Sequence, residues 1–342
     1  MREVRRRRAP HGCGLLLRRA GGGNKAQVAG SPGGLFAIGI QHSRRREGYK
    51  IDLNGIIVID KPAGWTSHDV VAKLRGILKE KRIGHGGTLD PIATGVLPVF
   101  IGNATRAAEF CENAEKEYIA GLKLGLVTDT QDITGKTIRS CEAHYSTAEL
   151  SAIITAFIGK QLQIPPMYAA KKKDGKKLYE LARRGVETDR PAREIIITEL
   201  ELLEGAGSEF ALRVVCSKGT YIRALCHDIG LSLGCGGAMS SLRRIRAGKF
   251  YIEMAHTLGK VQDDAAKGSI EKVILQTDTI FSAYPSVELT GIEVEKCRNG
   301  APCQVAGLQN GTYRFYGPDG RFMLLGEVVG GYVRAIKRFF AQ

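Results

Sequence analysis

The chain has 342 residues, 43% hydrophobic and 25% charged, which excludes a wholly disordered protein and allows a large core beside a smaller companion domain. The formal net charge is +15, but residues 1–48 hold eleven Lys/Arg against two Glu, leaving +6 on the other 294 residues. That remaining excess suits a polyanionic partner without naming one.

No apolar run approaches the ~18–20 residues that span a bilayer, so no membrane association is expected. Eight cysteines without a Cys-x-x-Cys pair point to reduced thiols and a cytoplasmic protein. Cys226-His227 with Cys216 and Cys235 fits no structural zinc spacing, and no metal is expected.

Residues 1–48 are Arg- and Gly-rich without sustained periodicity; they are expected to be a disordered extension, dispensable for catalysis. A folded domain is expected over residues 49–287. It opens with an apolar strand at 56–60, closed by the turn Lys61-Pro62-Ala63-Gly64. A helix follows, with N-cap chemistry from Thr66, Ser67 and Asp69 and with Val70, Leu74 and Ile77 at helical spacing.

A glycine-rich loop at 84–95 leads into a strand at 96–101, and 117–124 reads as another strand. Residues 147–157 carry helical spacing, 173–176 form a hairpin-like turn, and 194–203 and 210–216 read as strands. Ile222, Leu225, Ile229 and Leu233 make one helix face, followed by a break at 234–237. This irregular mixture predicts an α+β domain rather than a doubly wound repeat. Over 288–342, turn residues separate short strands at 312–316, 323–329 and 333–336, which predicts a small β-rich domain.

The stretch with the most chemistry is Gly84-His85-Gly86-Gly87-Thr88-Leu89-Asp90-Pro91-Ile92-Ala93-Thr94-Gly95-Val96-Leu97-Pro98-Val99. Glycines let a backbone approach a ligand closely, and Pro91 biases Asp90 towards an extended conformation, so the loop could present a fixed carboxylate. Asp before Pro also starts ordinary turns, and local chemistry leaves both readings open.

This segment resembles the catalytic motif of the TruB family of tRNA pseudouridine synthases. The resemblance continues in Asn54-Gly55-Ile56, Asp60-Lys61-Pro62, Gly64-Trp65-Thr66-Ser67 and Lys116-Glu117-Tyr118. It extends through Pro165-Pro166-Met167-Tyr168-Ala169-Ala170-Lys171, Leu178-Tyr179-Glu180-Leu181-Ala182-Arg183-Arg184-Gly185 and Ser217-Lys218-Gly219-Thr220-Tyr221-Ile222-Arg223. It is strong over residues 54–250 and weaker in the C-terminal region.

The family resemblance implies a pseudouridine synthase fold, with a central mixed, largely antiparallel sheet flanked by helices and a PUA-like C-terminal domain that binds RNA. It implies isomerisation of uridine 55 in the tRNA T-loop by base flipping. The partner would be the T-stem-loop, with no obligate protein partner and a monomeric enzyme. Breaking N1–C1′ and rejoining the base through C5 gives an isomer, so no cofactor is expected.

By resemblance, Asp90 is the catalytic carboxylate, and an ordinary pKa of ~3.9 would leave it ionised at neutral pH. Tyr118 would lie against the flipped base, Tyr221 and Leu242 would line the uridine pocket, Arg223 would pair with Asp90, and His85 would stand near the RNA. Lys61, Arg106, Lys171, Lys172, Lys173, Arg243 and Arg244 are candidate phosphate contacts. Gly86 departs from the family, which commonly has threonine there, and residues 1–48 have no family counterpart. A methyltransferase lacks support, since no G-x-G-x-x-G follows a strand; a non-catalytic RNA-binding or RNA-folding protein on the same fold is the alternative.

Overall fold

The computed structural model describes residues 53–168 and 190–340, and the backbone of Leu16–Leu17, Lys172–Lys173 and Lys176–Lys177. The expectations for residues 1–48, Lys171 and 178–185, and for the side chains of Lys172 and Lys173, lie outside the described residues. Lys173 and Lys176 are antiparallel partners, as a hairpin there requires.

In the unit spanning Asn54–Ile280, the first strand, β1 (Gly55–Lys61), is an apolar run buried on both faces. It leads into helix α1 (Ser67–Leu78), which Thr66 and Asp69 start with a reciprocal capping box. Then come β2 (Ile83–His85), β3 (Thr94–Ile101), the short α2 (Ala108–Asn113) and β4 (Lys116–Leu124). A small hairpin of Leu126–Thr128 with Thr137–Ser140 precedes α3 (Thr147–Ile154), which is capped by Ser146 and Glu149 and continues into a 3-10 turn at Thr155–Phe157. The chain continues through β5 (Gly159–Gln163), β6 (Arg193–Ala206), β7 (Glu209–Cys216), α4 (Ile222–Ser232) and β8 (Gly237–Ala247).

These strands form one sheet in the order β1-β3-β8-β4-β7-β6-β5. All of these pairings are antiparallel except that of β3 with β8, so the sheet is mixed and largely antiparallel. One edge of β3 is shared: β2 pairs with Val99–Ile101, and β8 pairs with Thr94 and Gly95. The loop between β2 and β3 therefore leaves the sheet where β8 takes over. Gly95 is required at that junction, because at φ +98° a Cβ would lie 2.2 Å from the Arg244 carbonyl oxygen.

β8 is one of the elements that sequence reading missed. Its sequence, GAMSSLRRIRA, opens with glycine and lacks apolar alternation, so it reads as the continuation of a break.

The unit that includes Phe281–Gln342 is built around strands Gly311–Tyr316, Phe322–Val329 and Tyr332–Arg338, flanked by Ser286–Glu288 and Cys303–Gln304. It also contains a helix, Gly291–Asn299, capped by Thr290 and Glu293. That helix was not expected, because only Val294 and Cys297 of its residues are buried and its polar surface gives little periodicity. Among the described residues no helix is long and apolar enough to cross a membrane.

Candidate active site

The loop between β2 and β3 carries Asp90, and hydrogen bonds fix it on both sides of that residue. Gly86 N–H donates to the Pro98 carbonyl at 2.9 Å. Leu89, buried, donates its N–H to Ser67 Oγ at 2.8 Å, and the same hydroxyl donates back to the Leu89 carbonyl at 3.3 Å. On the other side, Gly64 N–H donates to the Pro91 carbonyl at 2.8 Å.

Two buried cations complete the support. Lys61, 0% exposed, donates through Nζ to the carbonyls of Pro62 (2.9 Å), Trp65 (2.5 Å) and Pro91 (3.4 Å). Arg244, 1% exposed, donates to the carbonyls of Val96 (2.7 Å), Gly87 (3.1 Å) and Thr88 (3.5 Å). Burial pulls the Lys61 ammonium down to about 8, against the attraction of Asp90.

Arg223, in the first turn of α4, reaches the loop from the opposite direction. Its Nε lies 2.9 Å from Asp90 Oδ2, an ion pair whose N–H is not aligned as a hydrogen bond. Nη1 donates to the Thr130 carbonyl (3.1 Å) and Nη2 to the Tyr168 carbonyl (2.9 Å). Asp132, buried, stands 3.7 Å from Nη1 and accepts from Thr130 Oγ1 and the Thr134 N–H. One guanidinium thus sits between two carboxylates and two backbone carbonyls.

Burial pushes the Asp90 carboxyl above its ordinary value; Arg223 pulls it down, and Asp132 pushes it up again. The Asp90 side chain is still 36% exposed, so it can meet a ligand.

A cavity of about 330 Å³ opens over Asp90 and is walled by Tyr118, Tyr221, Arg223, Leu242 and Arg244. Strand pairing explains the grouping. Tyr118 on β4 is the cross-strand partner of Arg244 on β8, and Leu242 lies two residues from Arg244 on the same face. Burial pushes the hydroxyls of Tyr118 and Tyr221 up, so both rings stay neutral in the physiological range.

The model of the TruB family pseudouridylate synthase N-terminal domain matches residues 75–222, and that of the tRNA pseudouridylate synthase B C-terminal domain matches residues 223–282. A tRNA pseudouridine synthase B of Syntrophomonas wolfei is 43% identical over 281 residues, covering 80% of this chain and 93% of the relative. The chain belongs to the TruB family.

A second relative, the tRNA pseudouridine synthase B of Aromatoleum aromaticum, is 39% identical over 84% of this chain and 92% of its own. Among solved structures, a chain of an H/ACA RNP bound to a substrate RNA containing 2′-deoxyuridine aligns with TM-score 0.64 and 28% identity, over 84% of this chain and 85% of that one.

Within this TruB-family fold, Asp90, Tyr118, Tyr221, Arg223 and Leu242 meet at one cavity. His85 does not line it: the residue ends β2, its Nδ1 is buried without a hydrogen-bond partner, and burial lowers its pKa. Arg106 is half-buried on a 3-10 turn, Gly102–Ala107, outside the cavity lining.

Two candidate phosphate contacts are corrected. Lys61 and Arg244 are enclosed, with their hydrogens committed to carbonyls of the protein itself. Arg243 forms a forked pair with Asp60, at 3.1 and 2.8 Å, and stays half-exposed, so it remains a candidate. Sequence reading missed Asp132; Asp129-Thr130-Gln131-Asp132 reads as a polar turn, and nothing local marks its carboxylate as facing Arg223.

Lys116 is buried beside the cavity and donates to the carbonyls of Cys111, Glu112 and Ala114, closing the end of α2.

The packing around Gly86 leaves no room for a side chain. A Cβ there would lie 2.8 Å from Cys111 Cβ and 2.8 Å from a ring carbon of Phe100. Gly86→Thr is expected to destabilise the protein by about 1–3 kcal/mol. A Cβ at Gly86 would also lie 2.9 Å from Cys111 Sγ, so adding Cys111→Ala, which removes that sulfur but not the Cβ, should return part of the loss in a double-mutant cycle followed by urea unfolding. Strict additivity would show that the Cys111 sulfur does not exclude the threonine.

Proposed function

We propose that the protein isomerises uridine 55 in the T-loop of tRNA to pseudouridine. The observation that carries this reading is a solvent-reachable carboxylate, Asp90, paired with a buried arginine at 2.9 Å at a cavity walled by two tyrosines and a leucine. The relatives named tRNA pseudouridine synthase B and the +6 charge outside residues 1–48 support it.

The cavity receives the flipped uridine, and Tyr118 and Tyr221 supply flat apolar surface in place of lost base stacking. Arg223 opposes the effect of burial and holds Asp90 in the charged form that a nucleophile or charge stabiliser needs. The N1–C1′ bond breaks, the base turns, the C5–C1′ bond forms, the C5 proton leaves to solvent, and N1 takes up a proton from solvent in its place. The atoms balance without an external reactant. The C-terminal unit is read as a PUA-like module that adds RNA contacts.

Tritium release from unmodified tRNA labelled at C5 of uracil tests this reading. One tritium per tRNA is expected from the wild-type protein, and none from a transcript with cytidine at position 55. A folded, tRNA-binding protein that releases no tritium would instead be an RNA-folding protein on the same fold.

A further inference from the structure

Gln163 ends β5, the edge strand at the far side of the sheet from β1, and its side chain is only 4% exposed. A buried amide is costly unless its donor and acceptor are both satisfied. Here both go to one residue 58 positions away. Gln163 Nε2 donates to the Tyr221 carbonyl at 3.0 Å, and Tyr221 N–H donates to Gln163 Oε1 at 2.8 Å. The side chain thereby makes the two bonds that an adjacent strand would exchange.

Tyr221 stands where the turn after β7 becomes α4. Its backbone is extended (φ −100°, ψ 110°), it provides no side-chain cap, and its carbonyl also receives the Leu225 N–H of the first helical turn. Two residues later, Arg223 meets Asp90. The segment following Gln163 makes a second tie, since Arg223 Nη2 donates to the Tyr168 carbonyl.

Building on the reaction assigned above, we propose that Gln163 is a positioning residue for it. Gripping the Tyr221 peptide from both sides aims the tyrosine ring along the cavity and starts α4 in the register that places Arg223 on Asp90. Glutamine suits the task because its amide can donate and accept at once, whereas a carboxylate would oppose the Tyr221 carbonyl.

The role has a signature that stability alone would not produce. If the grip is lost and Arg223 drifts from Asp90, its downward pull weakens, and the acid limb of the pH–rate profile moves to higher pH. The titratable groups coupled to Asp90 or Tyr221, namely Arg223, Asp132, Lys61, Tyr118 and Arg193, are unchanged by the substitution.

The test uses the full chain with C5-tritiated tRNA. Wild type, Gln163→Leu and Gln163→Met are compared for single-turnover release at saturating enzyme, tRNA affinity at matched salt, and thermal unfolding. Gln161→Leu, which removes an unrelated hydrogen bond to the Phe157 carbonyl, is the control. The Gln163 variants should lose roughly 10- to 100-fold in rate, keep tRNA affinity within about twofold, and show the acid limb displaced upward. Gln161→Leu should behave as wild type.

The methionine variant retains an unbranched chain if the leucine variant does not fold. A folded Gln163 variant with rate and acid limb unchanged would overturn the positioning role. So would rate and affinity falling together with thermal stability. Absence of release from wild type would instead refute the reaction itself, so the two failures are distinguishable.

Discussion

Asp90→Asn should all but abolish tritium release, lowering the single-turnover rate by at least about 10⁴-fold, while tRNA affinity stays within about twofold. The substitution keeps side-chain size and turn preference. It also leaves the loop supports intact, because Ser67, Gly64, Lys61 and Arg244 all bind backbone atoms of neighbouring residues. Arg223 retains Asp132 and two carbonyl partners, so the buried guanidinium is not left unpaired. What disappears is the negative charge at the cavity, and affinity set by phosphate contacts should hardly register that loss. Near-normal release from the folded variant would refute Asp90 as the reacting carboxylate.

Arg223→Gln should act on both stability and chemistry. It leaves Asp132 buried without its cation and removes donors from the Thr130 and Tyr168 carbonyls, a change expected to cost about 3–5 kcal/mol in unfolding free energy. The surviving folded protein should react at least about 10²-fold more slowly.

The direction of the pH effect follows from Asp90. Its carboxyl already lies above the ordinary range because of burial, and Arg223 is the main opposing influence. Without Arg223 the carboxyl rises further, so the active ionised form is lost at a higher pH as acid is added. The pH–rate profile should show its acid limb moved upward. Arg223→Lys should recover only part of the rate, since an ammonium cannot reach Asp90, Asp132 and two carbonyls with one planar fork. An acid limb that stays in place in Arg223→Gln would show that the arginine does not set the charge state of Asp90.

Local sequence determined several elements because their causes are local. The apolar run that became β1, the Thr66/Asp69 box that starts α1, and the period-2 burial of β4 are each written in consecutive residues. The glycines around Asp90 likewise marked a loop fit to present a carboxylate. The family resemblance supplied Tyr118, Tyr221, Arg223 and Leu242 as companions of Asp90, which composition and spacing could not.

Tertiary structure decided the rest. Arg243 and Arg244 look alike in the sequence, yet neighbours on a strand face opposite ways. Insertion of β8 between β3 and β4 turned Arg244 inward onto the carbonyls of the Asp90 loop and left Arg243 to pair with Asp60. Lys61 became a buried support rather than an RNA contact for the same reason: three carbonyls, one of them 30 residues away, converge on its ammonium. Asp132 joined the site only because its turn meets the start of α4. Whether a charged side chain faces solvent or is enclosed depends on the partners that distant segments bring to it, and the energy of burying a charge is set by those partners.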